Sequence, residues 1–441
     1  MSAYEARKAE LVAALAGPEA VDVGLAKDTS NLFRERPERH RPRLNLRHFD
    51  DVLTVDAGAG VVDVEGMTTF ERLADRTLAH GVAPCVVPEL KSITIGGAVA
   101  GVGIESSSFR YGLVHHTITE MEVLTGDARV LVCTPDNAYR DLFHGLPNSY
   151  GTLGYALRLK ARTRPVKRFV QVAHAAHSDM GAYFDALRAA CAGDADFIDG
   201  TVFARDQLFL SVGRFVDEAP WVSDYTFEKI YYRSIRERAT DYLTAHDYLW
   251  RWDTDWFWCS KNLLMQHPIV RRIAGRERLN SVTYTRIMRW NSKWGLTHRL
   301  FRWTGRHSES VIQDVDIPID RAAEFLDFFL REIGIVPVWI CPIQGDDGRF
   351  PLYPLARSPL YVNFGFWDVV KAREPRPPGY YNRLIERKVQ GLGGIKSLYS
   401  DSYYERDEFW SIYDKRAYDT LKRKYDPGGR LGDLYDKIAR A

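Results

Sequence analysis

The chain has 441 residues, 45% of them hydrophobic and 27% charged, with a formal net charge of +2. That length exceeds one ordinary domain and provides ample core, which sets aside a disordered or peptide-sized protein. The near balance of charge gives no whole-chain attraction to nucleic acid, and five scattered cysteines without a C-x-x-C pair read as reduced thiols of a cytoplasmic protein, with no metal centre expected.

Met1 to Gly17 is charged and amphipathic, with Glu5, Arg7, Lys8 and Glu10, and reads neither as a signal peptide nor as a membrane span. Any membrane contact is therefore expected to be peripheral, at the inner face of the plasma membrane. Val52–Asp56 and Gly60–Gly66 alternate apolar and polar residues as half-buried strands do. Thr68, with Glu71 three residues on, predicts a capped helix through Phe70, Leu73, Ala74 and Leu78, closed by Gly81.

Between Thr94 and Gly112 lie five glycines (Gly96, Gly97, Gly101, Gly103, Gly112), three consecutive serines (Ser106, Ser107, Ser108) and little charge. Glycine lets backbone amides press against a ligand, and successive free N–H groups form a nest for phosphate oxygens. The plainer alternative is a glycine-rich turn that lets strands pack closely. The spacing fits neither a P-loop nor a nicotinamide Rossmann unit, so a dinucleotide held by another architecture is expected. A hairpin around Gly126-Asp127 follows, then a second glycine run, Gly151-Thr-Leu-Gly154.

From Val166 onward strands and helices continue without glycine loops; candidate strands Val311–Pro318 and Ile335–Pro342 flank a helix from Asp320 to Gly334. Seven of eleven tryptophans fall between Trp250 and Trp303, and Arg271 to Arg306 holds ten Lys/Arg against one acid, Glu277. No nucleic-acid module accompanies them. An interfacial helix pair, arginines at lipid headgroups and tryptophans at the acyl boundary, is the expectation; the alternative is an aromatic core with solvated arginines.

Val87-Pro-Glu-Leu-Lys-Ser-Ile-Thr-Ile-Gly-Gly, Gly103-Ile-Glu-Ser-Ser-Ser-Phe-Arg-Tyr-Gly-Leu, Tyr150-Gly-Thr-Leu-Gly and Leu398-Tyr-Ser-Asp-Ser-Tyr-Tyr-Glu-Arg-Asp-Glu-Phe-Trp together resemble the delta-24-sterol reductases, flavoproteins of the vanillyl-alcohol-oxidase type. The likeness covers nearly the whole chain and is weakest from about Pro220 to Arg306. It implies an α+β fold: a two-subdomain PCMH-type FAD-binding domain (1–165), a substrate domain (166–385) whose mixed or antiparallel sheet covers the flavin and which carries the basic, Trp-rich segment 250–306, and a C-terminal segment (386–441) returning to the flavin. FAD would be noncovalent, since Val23 to Phe33 has neither histidine nor cysteine. The pair His115-His116 reads as structural.

By the same resemblance, Thr94, Ile95, Gly96, Gly97, Gly101, Gly103, Ile104, Glu105, Ser106 and Ser107 would contact FAD, with Tyr111 and Gly112 behind and Gly151, Thr152 and Gly154 elsewhere along it. Glu122 would support the site. The implied reaction is reduction of an isolated carbon–carbon double bond, with NADPH refilling the flavin. Such an alkene has no carbonyl to take up charge, so the protein needs a positioned acid and a dry, aromatic-lined pocket. Tyr403 (with Asp401 or Glu405 as relay), Glu105, Asp314 and Tyr361 are the candidate acids; Gln313, Trp339, Cys341, Tyr361 and Asn363 are candidate substrate contacts. Substrates in keeping with this are a 10-methylene fatty acyl chain reduced to 10-methyl, as in actinobacterial tuberculostearate synthesis, or a sterol side chain. The acyl reading brings two partners, a phospholipid carrying the chain and the methyltransferase that makes the methylene lipid. An FAD-linked alcohol or sugar oxidase is the remaining alternative.

Overall fold

The computed structural model describes residues 3–17, 21–27, 29, 33–34, 41–294, 307–372, 374 and 376–440. Two antiparallel sheets organise it. The first runs 52–56, 61–65, 155–165, 118–124, 130–133, with Val82–Pro84 also pairing onto the long strand Tyr155–Pro165. The second has eight strands in the order 240–244, 169–177, 207–216, 197–204, 338–344, 360–372, 307–318, 395–396. The chain passes from one sheet to the other between Pro165 and Phe169.

Period-two alternation sets what each strand of the second sheet shows to either side. Val311, Val315, Ile317, Val338, Ile340, Phe364 and Phe366 pack under helices Met180–Cys191, Ala322–Glu332 and Tyr380–Gly391. The opposite face meets an aromatic cap built from Tyr231, Trp252, Phe257 and Trp258. Trp250, Trp252, Trp256 and Trp258 are all buried, so these tryptophans are core and not a membrane boundary as expected. The side chains of Trp290 and Trp294, and all of Trp303, lie outside the described residues.

The helix expected after Thr68 runs Phe70–Leu78, but Thr69 caps it, accepting from Arg72 N–H at 3.3 Å. Thr68 instead donates to Asp51 O, tying the turn to the sheet. Helix Ala3–Ala16 lies against the first sheet, where Glu122 accepts from Lys8 at 2.9 Å and from Tyr4. The C-terminal helices Arg406–Ile412 and Lys415–Tyr425 complete the core of the first half. None of the helices among the described residues is long and apolar enough to cross a membrane.

Candidate active site

A cleft of about 3240 Å³ separates the two sheets. That is several times the roughly 300–1,000 Å³ of an ordinary small-molecule pocket, room for a dinucleotide and a long second ligand together. Its floor is the first glycine run. Thr94 caps the short helix Ile95–Ala100, accepting from Gly97 N–H at 3.2 Å. Gly96 N–H donates to Gly66 O at 2.9 Å, and Gly66 N–H to Leu157 O at 2.8 Å. A Cβ on Gly96 would come 2.7 Å from Gly66 O, and one on Gly66 would come 2.0 Å from Ala156 O. Three backbones are thus pressed together, and only glycine permits it.

Thr94, Gly96, Gly97, Gly101, Gly103 and Ile104 border the cleft, with Gly151 and Gly154 of the second run. Gly151 has φ +79°, a left-handed position that suits glycine. Lys422 Nζ donates to Thr152 O at 2.7 Å and Lys437 Nζ to Tyr150 O at 2.6 Å, pinning that turn from the C-terminal segment. Backbone without side chains on two sides lets a large cofactor approach closely; the Gly96 and Gly97 amides are themselves spent on Gly66 O and Thr94 Oγ1, so a diphosphate would be met by other groups of the rim. Basic side chains, absent from the expected set, also border the cleft: Lys27, Arg34, Arg41 and Arg43. The run Arg34-Glu-Arg-Pro-Glu-Arg-His-Arg-Pro-Arg43 was the signal available for them.

We expect Gly96→Ala to weaken FAD binding by about tenfold or more, since overpacking costs about 1–3 kcal/mol. Flavin fluorescence titrated into apoprotein reads this, with Gly391→Ala, where a Cβ meets nothing within 4 Å, as control. Unchanged affinity at Gly96→Ala would remove the loop from the cofactor site.

Several expected contacts stand elsewhere. Ile95 is packed in the core. Ser107 Oγ donates to Cys85 O at 2.8 Å, and buried Ser106 lies 3.4 Å from Arg251 Nη2. Tyr111 packs beside the Arg164 guanidinium, Gly112 ends a short helix against the His116 ring, and Thr152 Oγ1 donates to Ser149 O at 2.8 Å. These residues brace the cradle from behind.

Glu105 borders the cleft, but its carboxylate is engaged, 3.1 Å from Arg251 Nη2. The same buried guanidinium meets Asp199 at 2.8 Å and Glu89. Three carboxyls around one cation leave excess negative charge; burial, opposed by Arg251 and aided by Glu105, raises Glu89 well above the usual carboxylate range. The cluster joins the glycine loop, the second sheet and the aromatic cap. It reads as a lock and not as the proton donor expected of Glu105.

On the upper wall, Asp314 faces the cleft from strand His307–Pro318, paired across the ladder with Gly365. A Cβ on Gly365 would come 2.6 Å from Asp314 Oδ1 and 2.5 Å from the Trp367 ring, so the missing side chain makes room for both. Burial first, then the Asp316 carboxylate, pushes Asp314 up to about 8. Asp314 Oδ1 has no hydrogen-bond partner among the described residues, while the Tyr399 hydroxyl sits against the same carboxyl and accepts from Trp367 Nε1 at 2.7 Å. Asp316 is held by Asn363 Nδ2 at 2.7 Å and Tyr353 OH at 2.8 Å, and burial raises it to about 6.

Trp339 and Asn363 border the cleft as expected substrate contacts would. Gln313 does not: one residue out of phase with Asp314, it points to the helix side, where its Nε2 donates to Asn382 at 2.6 Å. Cys341 packs in the aromatic core with Sγ 3.2 Å from Glu105 O. Tyr361 lies in the core near Tyr353 and accepts from Arg357 N–H at 2.8 Å. Tyr403 borders the cleft near Gly379 and accepts from Arg440 at 3.5 Å. Burial raises its phenol, making it a poorer acid, and Asp401 is paired with Arg440 at 2.9 Å. The tyrosine against a cleft carboxyl is Tyr399, four residues earlier in the same motif.

Among the described residues one group has metal-ligand potential: His115, His116 and Asp346, with ligand atoms within 4.8 Å of one another. Leu113 N–H donates to His116 Nδ1 at 2.7 Å, which puts the ring proton on Nε2, 3.2 Å from Asp346 Oδ2. A protonated nitrogen offers a metal no lone pair, so the group reads as a hydrogen-bonded pair stacked on buried His115.

Comparison with known proteins agrees with this geometry. Residues 30–134 match the model of the FAD binding domain. The chain is similar to the Delta(24)-sterol reductase of Homo sapiens, 26% identical over 422 residues, covering 89% of this chain and 76% of the relative. It is also similar to the Delta(24)-sterol reductase homolog of Caenorhabditis elegans, 25% identical over 427 residues, covering 89% and 78%. Similarity to Cytokinin dehydrogenase 9 of Oryza sativa subsp. japonica, 25% identical over 143 residues, covers 32% of this chain and 27% of that one.

Proposed function

We propose that this chain, an FAD-dependent oxidoreductase homologous to the Delta(24)-sterol reductases, reduces an isolated double bond in a lipid with NADPH as the electron source. The preferred substrate is a 10-methylene fatty acyl chain carried in a phospholipid, converted to the 10-methyl chain. Asp314 carries this reading: a carboxyl that stays protonated up to a pH of about 8, on the wall of a large cleft, beside aromatic rings.

Bound FAD supplies hydride chemistry; the chain's own residues supply the rest. Gly96, Gly97, Gly101, Gly151 and Gly154 would hold the cofactor. Trp339, Trp367 and Phe257, with ring centroids 4.4 to 6.4 Å apart, form an apolar wall that excludes water and tolerates positive charge on carbon. The Asp314 carboxyl would give its proton to the less substituted alkene carbon, supplying the proton of the H⁺/H⁻ pair whose hydride is the cofactor's part, so that both new C–H bonds are accounted for. Asp314 is left as carboxylate, steadied by the Tyr399 hydroxyl, and regains a proton from solvent before the next turnover.

A sterol side chain with the same branched alkene is the second reading, favoured by similarity to the sterol reductases over 89% of this chain. Purified protein given NADPH without oxygen, then either a methylene-branched phospholipid or a Δ24 sterol, separates the two. Formation of the methyl-branched acyl chain is the expected result. Flavin bleached by an alcohol and not by NADPH would overturn both readings in favour of a dehydrogenase.

A further inference from the structure

The short helix Pro268–Ala274 is inside out for a protein bathed in water. Its arginine is the buried residue: Arg271 meets Asp255 at 2.6 and 3.0 Å and also the carbonyl of Phe227. Its isoleucines face outward, Ile269 at 63% and Ile273 at 76% exposure, on one face by their i, i+4 spacing. Leu264, 69% exposed, stands just before them in a left-handed backbone conformation that disfavours a leucine, φ +58° and ψ 11°. Three large aliphatic side chains held out by a rigid, ion-paired base are the mark of an interaction surface.

We propose that this ridge docks on an anionic lipid bilayer. Charge selects that occupant. From Trp256 to Ile287 the chain has six Lys/Arg and one acid, Glu277; of the six, buried Arg271 is spent on Asp255 and Lys261 on Asp368. Arg272 and Arg276 hold Glu228 at 3.1 Å and Asp224 at 2.8 Å from the neighbouring loop, while Lys229 and Arg278 are exposed beside them, so the surface stays basic. Apolar residues beside a net excess of cations suit the boundary between headgroups and acyl chains. The ridge is also continuous with the cleft: Asn262 and Leu263, immediately before Leu264, and Thr285 and Ile287 on the next helix border it. Docked this way, the cleft receives an acyl chain directly from the bilayer. The inference rests on the lipid reading of the cleft for its purpose, and not for its test.

The test is co-sedimentation of the full chain with vesicles of phosphatidylcholine alone or mixed with phosphatidylglycerol. Wild-type protein is expected to bind the anionic vesicles, less so in high salt. The triple variant Leu264→Ser, Ile269→Ser, Ile273→Ser should bind about tenfold or more weakly, from the lost burial of aliphatic groups, with flavin content and melting temperature retained; Ile269→Ser alone serves if the triple variant does not fold. Binding to neither vesicle, equal binding by wild type and variant, or a variant that merely turns a dimer into a monomer would overturn the proposal. A protein that binds bilayers yet reduces no lipid keeps the ridge and loses the reading of the cleft. One that reduces detergent-dispersed lipid and ignores vesicles does the reverse.

Discussion

Asp314→Asn is expected to slow lipid reduction by about 10²- to 10⁴-fold, the usual worth of a positioned general acid, while NADPH still bleaches the flavin at the wild-type rate. Rapid-mixing absorbance of the two half-reactions distinguishes these effects. The pH profile adds a second check. With its carboxyl raised to about 8, wild-type protein should lose lipid reduction above that pH, and the variant's residual rate should lack this limb. Stability should follow the same group. Because the folded form binds the proton more tightly, its stabilising contribution is complete below the ordinary carboxylate range and is lost as pH rises toward about 8. The melting temperature of Asp314→Asn relative to wild type should therefore climb with pH. A variant within threefold of the wild-type rate would remove Asp314 from the chemistry.

The second large effect is structural. Arg251→Met leaves Glu89, Glu105 and Asp199 enclosed without their cation, and breaking a buried ion cluster from one side costs about 3–5 kcal/mol. Denaturant unfolding should show that loss. Adding Glu105→Gln to the variant should recover part of it, because one uncompensated charge is gone. A loss under about 1 kcal/mol would mean that the guanidinium contributes little to holding loop, sheet and cap together.

The glycine cradle was legible because its constraint is local: no residue with a Cβ fits where Gly96 meets Gly66. Sheet pairing around Gly126-Asp127 and the helix near 320–334 were legible for the same reason, through turn chemistry and apolar period. Gln313 falls on the far face because a strand's faces change with every residue, and composition does not mark which of two neighbouring polar residues looks inward. Tyr399 and Tyr403 sit in one motif, and only tertiary contact with Asp314 tells them apart. The Arg251 cluster joins residues separated by 52 to 162 positions or so, beyond the reach of any local pattern. Arginine density near 271–306 suggests cations at lipid headgroups or in solvent, yet Arg271 is an internal anchor and the isoleucines beside it are outside.

Lysines at 422 and 437 hold the Tyr150–Thr152 turn, and residues 431–440 form part of the cleft's rim. The lysines and the turn they hold are 270 and 287 positions apart in the chain. The turn therefore takes its final shape only when these distant segments have docked, and flavin release in mild denaturant should report their undocking.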